Sequence, residues 1–171
     1  SSLASRSDVV CTQLCDIHEE RLVRTADFIA KQQGGRKPLL ATNMEEVFAN
    51  KDVDAVVVAT PDHWHTPAAI LACEAGKHVY VEKPCSHNIR EGRLMVEAAR
   101  KQRRVMQHGT QSRSDARIAG LHQAIAEGKF GRLKTSYGYC CKPRGGIGQK
   151  ASGPAPENLD WNLWRGPARV G

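Results

Sequence analysis

One run of seven residues limits what this chain can fold into more than anything else in it. Val53-Asp54-Ala55-Val56-Val57-Val58-Ala59 is apolar at every position but Asp54. A strand with one wet face alternates apolar and polar residues, whereas a strand apolar throughout is covered on both faces, as in parallel sheets flanked by helices. The surrounding sequence agrees. Residues 9–14 read as a strand, 18–33 as a helix closed by Gly34 and Gly35, and Leu39-Leu40 as part of a short strand. Asn43, with Glu46 three residues on, is a capping pair that opens a short helix ahead of the Val53 run. Thr66 as cap, Pro67 at the first helical position and Gly76 just past the end mark the next helix. Residues 78–81 make a strand, 88–102 a helix and 105–108 a strand. Strands alternating with helices predict an α/β fold with a doubly wound parallel sheet and right-handed crossovers.

Beyond Gly109 the texture changes. Residues 114–127 read as a helix ending at Gly128, and 133–141 alternate as a strand with one wet face. Residues 143–156, rich in Gly and Pro, read as an irregular loop, followed by Asp160-Trp161-Asn162-Leu163-Trp164-Arg165-Gly166-Pro167. The expected boundary therefore lies at 112: residues 1–112 form the α/β domain, and 113–171 begin an α+β domain. A single strand leaves both edges unpaired, so the second domain is expected to continue past Gly171.

Composition narrows the classes of function. Apolar residues are 40% of the chain and charged ones 25%, values of a folded globular protein. The net charge of +7 gathers only mildly, at Arg100, Lys101, Arg103 and Arg104, where cations suit the carboxyl end of a helix; no aromatics interleave there to stack on bases. No nucleic-acid or membrane partner is expected, since the longest apolar run is far too short to cross a bilayer. The expected location is the cytoplasm, or the periplasm after export. The six cysteines lack both CxxC pairs and the dense spacing of disulfide scaffolds, and reduced thiols are expected.

Ligands of open α/β sheets bind beyond the carboxyl ends of the strands. After the first readable strand comes Asp16, placed to accept hydrogen bonds from an adenosine ribose and to repel a ribose phosphate, which favours NAD over NADP. It is equally placed to cap the next helix, with Glu19 three residues on. A glycine turn for the pyrophosphate belongs about 20 residues earlier, and no GxGxxG occurs, so the first strand and that turn are expected ahead of Ser1. After the Val53 run come Thr60-Pro61-Asp62-His63-Trp64-His65, where His63 and His65 have a spacing open to a metal; no further ligands follow, and no metal is expected. After residues 78–81 come Glu82-Lys83-Pro84. A lysine under a bound nicotinamide is partly desolvated and near a positive ring, both of which disfavour its charged form, so it can pass a proton. Pro84 fixes the backbone behind it, and a cis bond is one way to do so.

These residues resemble the glucose-fructose oxidoreductase, inositol dehydrogenase and rhizopine-catabolism family of NAD(P)-dependent oxidoreductases. The resemblance is carried by Ala59-Thr60-Pro61, the His-rich turn, Thr66-Pro67, Gly76-Lys77-His78-Val79 and Glu82-Lys83-Pro84 taken together. It implies a Rossmann-like cofactor domain in which Thr60, Pro61 and His65 line the dinucleotide. Glu82, Lys83 and Pro84 then approach the nicotinamide, with Lys83 in proton transfer and Glu82 orienting it. Gln111 and Arg113 resemble family positions near the nicotinamide or substrate, and 142–167 resemble a bacterial branch of the family. The resemblance further implies a sugar- or cyclitol-like substrate and a homo-oligomer. The family's second-domain Asp-x-x-x-His does not occur here, so this segment alone is expected to be inactive. Two other functions fit the same residues: a glycoside hydrolase assisted by transient NAD oxidation, and a non-catalytic dinucleotide-binding module.

Overall fold

The structure is a computed structural model describing residues 3–139, 143, 145–146, 148–149, 151 and 153–167. Its elements run β1 (Gln13–Cys15), α1 (Glu19–Gln32), β2 (Leu39–Ala41), α2 (Met44–Ala49), β3 (Ala55–Val58), α3 (Asp62–Glu74), β4 (His78–Val81), α4 (Ile89–Gln102), β5 (Met106–His108), α5 (Ala116–Ala126) and α6 (Trp161–Arg165). The chain forms two compact units. One joins Ser1–Gly109 with Ala155–Gly171, and the other is Thr110–Pro154. The boundary read from sequence stands at 112; the units divide after Gly109, and the first takes in the final segment as well.

Every strand pair is parallel, as an α/β Rossmann-like fold requires. The strands lie in two sheets, β1-β2 and β3-β4-β5, with Gln13 opposite Leu39, Ala55 opposite His78 and Val79 opposite Met106. Among the described residues β1 and β3 do not pair with each other.

The strand expected over 9–14 is confined to Gln13–Cys15, because its partner β2 is only three residues long. The Gln33 side chain takes the place of a neighbouring strand for Cys11: its amide oxygen accepts from the Cys11 N–H at 3.1 Å and its amide nitrogen donates to the Cys11 carbonyl at 3.0 Å. The Val53 run is strand only from Ala55 to Val58, and within it Val58 is 3% exposed while Val57 is 52% exposed. Burial on both faces is thus met on one face only, the face on which α3 and α4 pack. There Val58, Val79 and Val81 meet Ala68, Ala69, Ala72, Cys73 and Met95. Small side chains on α3 let the helix approach the sheet closely. On β5 the ladder continues into Gly109, whose N–H donates to the Val81 carbonyl at 2.7 Å; a Cβ there would lie within 3 Å of the Tyr80 ring.

The third helix differs from its sequence reading. Thr66 and Pro67 were expected at its start, but α3 begins at Asp62 with Pro61 as cap, and Pro67 lies inside it. A proline this near the amino end forfeits one backbone hydrogen bond, to the His63 carbonyl, a loss that the contacts of His63, Trp64 and His65 offset. Thr66 does not cap: its hydroxyl donates to the Cys85 carbonyl at 3.1 Å. At the other end Gly76 has the positive φ (80°) expected of it. Asn43 caps α2 as anticipated, accepting from the Glu45 N–H at 2.9 Å.

The strand expected over 133–141 is absent from 133–139, where no neighbouring strand exchanges hydrogen bonds with it among the described residues. Its alternation survives in the stacked rings of Tyr137 and Tyr139. Cys140, Cys141 and Lys142, and Arg144, Ile147, Lys150 and Ser152 of the expected loop, lie outside the described residues. Cys11, Cys15, Cys73 and Cys85 carry free thiols. No helix among the described residues is long and apolar enough to cross a membrane.

Candidate active site

Asp16 directly follows β1, and its N–H donates to the Ala41 carbonyl at 3.3 Å, extending the pairing with β2. One carboxylate oxygen accepts from the His18 N–H at 2.9 Å, so Asp16 shapes the turn into α1 rather than capping it, and His18 is the cap residue. The Cys15 thiol is pushed up to about 11, chiefly by desolvation of its sulfur and further by the Asp16 and Glu46 carboxylates, although the residue as a whole is exposed. Two negative charges therefore share the end of β1, a poor seat for a ribose phosphate. A hollow of about 250 Å³ is lined by Glu19, Leu22, Val23, Leu40, Ala41, Thr42 and Glu46.

Thr60 and Pro61 link β3 to α3. The Thr60 hydroxyl oxygen is buried and has no hydrogen-bond partner among the described residues, and the same holds for His18 Nδ1. Such atoms cost about 1–3 kcal/mol each unless something bonds to them. One follows β1 and the other β3, at the strand ends where ligands of this architecture sit. Their donor and acceptor chemistry fits the hydroxyls, phosphates and amides of a dinucleotide.

His65 is 2% exposed. Its Nε2 lies 2.8 Å from the Thr60 carbonyl and its Nδ1 2.6 Å from the Pro84 carbonyl. A neutral imidazole donates at only one of these; both are hydrogen bonds when the ring carries both protons. His65 thus ties the turn after β3 to the turn after β4, with neither nitrogen left to face a ligand. His63 is engaged as well, its Nε2 lying 2.6 Å from the Trp164 carbonyl. No cluster of three or more His, Cys, Asp or Glu side chains forms among the described residues.

Glu82 continues the β3-β4 ladder, its N–H donating to the Val58 carbonyl at 2.9 Å, and its carboxylate accepts from the Lys83 N–H at 3.2 Å. The Lys83–Pro84 peptide is cis. Lys83 is exposed, and among the described residues its ammonium makes no ion pair or side-chain hydrogen bond. It stands at a strand end with its ammonium open to solvent. Gln111 and Arg113 are exposed residues of the Thr110–Pro154 unit, ahead of α5. Sequence reading missed His18, whose signal was its place one residue before the first helical turn. It also missed the docking of Leu163 and Trp164 on the start of α3, for which no local pattern exists.

Residues 2–110, well over half of the chain, match the oxidoreductase family with an NAD-binding Rossmann fold. The chain belongs to that family. The 1,5-anhydro-D-fructose reductase of Ensifer adhaerens is 40% identical over 91 residues, covering 53% of this chain and 27% of that protein. A glycosyl hydrolase family 109 protein of Shewanella baltica is 29% identical over 126 residues, covering 70% of this chain and 27% of the other. Among solved structures, the WlbA dehydrogenase of Bordetella pertussis in complex with NADH and UDP-GlcNAcA aligns with a TM-score of 0.65 at 29% identity, over 77% of this chain and 36% of that one. The chain spans about a quarter of the length of the curated relatives it matches. As a member of this oxidoreductase family it takes NAD as cofactor.

Proposed function

We propose that the protein transfers a hydride between NAD and a hydroxyl-bearing carbon of a sugar- or cyclitol-like ring, with Lys83 as the proton-transfer residue. The observation that carries this is the exposed, unpaired Lys83 ammonium just past β4, its turn held by His65 through the Pro84 carbonyl. Bound NAD supplies or accepts the hydride at its nicotinamide ring. In the oxidative direction the Lys83 amine takes the hydroxyl proton as the carbonyl forms, and in the reductive direction the ammonium returns it. Glu82 restrains the Lys83 backbone. Asp16, with the negative charge at the end of β1, receives the adenosine ribose, and Thr60 and Pro61 lie along the dinucleotide. Gln111 and Arg113 serve the nicotinamide or substrate end, and the whole protein is a homo-oligomer.

The similarity to a glycosyl hydrolase family 109 protein favours a second reading, in which tightly held NAD oxidises the sugar only transiently so that a glycosidic bond is eliminated. The two separate in one assay of the purified protein. Accumulation of NADH with free sugars or cyclitols supports net oxidation; release of an aglycone without added NAD supports the hydrolase; neither, in a protein that binds NADH, points to a non-catalytic module.

A further inference from the structure

The turn that carries Lys83 has few backbone donors to hold it. The β3-β4 ladder reaches the Glu82 N–H, the Lys83 N–H is taken up by the Glu82 carboxylate, and Pro84 has no N–H at all. Past Glu82 the turn is gripped through its carbonyls, which accept, so the donors come from another element. Two consecutive side chains near the start of α3 supply them. His65 Nδ1 lies 2.6 Å from the Pro84 carbonyl, and the Thr66 hydroxyl donates to the Cys85 carbonyl at 3.1 Å. Each pair is 19 residues apart in sequence, so helix and turn meet in register, residue against residue. The Thr66 hydroxyl also stands 3.4 Å from the Met95 sulfur, but it has a single proton, and a thioether is the weaker acceptor.

Both side chains are 2% exposed. A helix face packed on a sheet can be filled with apolar groups, as Ala68, Ala69 and Ala72 fill it further along α3. Two buried polar side chains in a row instead carry a desolvation cost that only their bonds to the turn offset. His65 has a second contact: its Nε2 lies 2.8 Å from the carbonyl of Thr60, the residue whose own hydroxyl is buried without a hydrogen-bond partner among the described residues. One rigid ring thus spans from the turn after β3 to the turn after β4, and its width fixes their separation.

We propose that His65 and Thr66 are positioning residues for proton transfer: together they register the Lys83 turn against the Thr60 turn, so that the Lys83 amine meets the reacting end of a dinucleotide lying along Thr60 and Pro61. This rests on the reading of Lys83 given above. Neither side chain touches substrate or cofactor; each acts through a carbonyl of the turn. The competing role is core packing alone, with the Lys83 turn set by β4 and Pro84 unaided.

The test reads the Lys83 amine directly and needs no substrate. The whole protein is trace-labelled with acetic anhydride, with and without NADH, and acetylation of Lys83 is measured by mass spectrometry against that of the exposed Lys51. NADH affinity is measured by calorimetry. NADH at about ten times its Kd should slow labelling of Lys83 about tenfold, the ratio of total to unliganded protein, and leave Lys51 unchanged. In Thr66→Val this protection should shrink to about twofold or less with NADH affinity unchanged, since a misplacement of about 1 Å already breaks such geometry. Thr66→Ser, which keeps the hydroxyl, should restore it. His65→Gln, whose flexible amide does not hold two carbonyls at the imidazole's spacing, should show the same loss and serves where Thr66→Val does not fold. Undiminished protection in these variants would leave both residues as core packing and overturn the proposal. A loss that Thr66→Ser does not restore would overturn it too, since the hydroxyl would not be the agent. A wild-type protein that binds NADH yet leaves Lys83 unprotected fails differently: it ends the placement of Lys83 at the nicotinamide, and the positioning role falls with it.

Discussion

The sheet β3-β4-β5 and the sheet β1-β2 are built from similar sequence yet differ in how they are held. The first lies under α3 and α4 and sends Val58, Val79 and Val81, 0–3% exposed, into the core. The second contributes only Ala41 to that core, and Leu39 and Leu40 remain exposed beside it. Glu82, Lys83 and the His65 clamp belong to the first, Asp16 to the second. The turn proposed for proton transfer therefore rests on packed strands, while the end proposed for the nucleoside rests on a three-residue pair of strands and on side-chain bonds such as Gln33 to Cys11. Precision is built in where chemistry is expected, and less where only binding is.

Substitutions can break this contrast. Met95→Ala, at a site 5% exposed under the three-stranded sheet, should cost about 2–5 kcal/mol by urea unfolding, whereas Leu39→Ala, at a site 62% exposed on β2, should stay within about 0.5 kcal/mol. Equal costs would erase the distinction. His65→Leu strips the Thr60 and Pro84 carbonyls of their donor and should cost roughly 2–4 kcal/mol, again by urea unfolding. The helix caps sharpen the comparison by being alike in both halves: Asn43 and Asn88 each accept from a first-turn N–H, so alanine at either should cost about 1 kcal/mol. A large difference between the two would mean that local structure, not packing, separates the halves.

The smallest effect concerns Cys15. Folding raises its thiol from the ordinary 9.0 to about 11, so the fold favours the protonated form. That contribution is intact below pH 9, declines as pH rises from there, and is gone above about 11. Cys15→Ser should flatten this alkaline slope slightly, and iodoacetamide should label Cys15 more slowly at pH 9 than it labels the unfolded chain. An unchanged slope would place the thiol in open water.

The parts legible in the sequence were those decided locally. The strand at 78–81 and the helices near 19–32 and 89–102 follow from periodicity, and the Asn43 cap was legible because its role needs only its own neighbours. The position of Lys83 just past a strand end was legible because residues 78–81 read as a strand. The start of α3 was not: Thr66-Pro67 is a sound local signal for a helix beginning, but the carbonyls of Thr60, Pro84, Leu163 and Trp164 engage the three residues before it and carry the helix back to Asp62. Val57 illustrates the same limit, since an apolar run tells that a face can be covered and not that it is. His65 was expected among the cofactor contacts; the structure engages both its nitrogens with backbone, a role set by two turns 24 residues apart in sequence that no local motif displays.

The most direct measurement is made on Lys83→Met, which keeps an unbranched side chain one atom shorter and removes the ammonium. NAD affinity by calorimetry should be unchanged while hydride transfer to or from a sugar-like substrate falls by about 10²–10⁴-fold. Turnover equal to that of the unsubstituted protein would contradict the assignment of proton transfer to this residue.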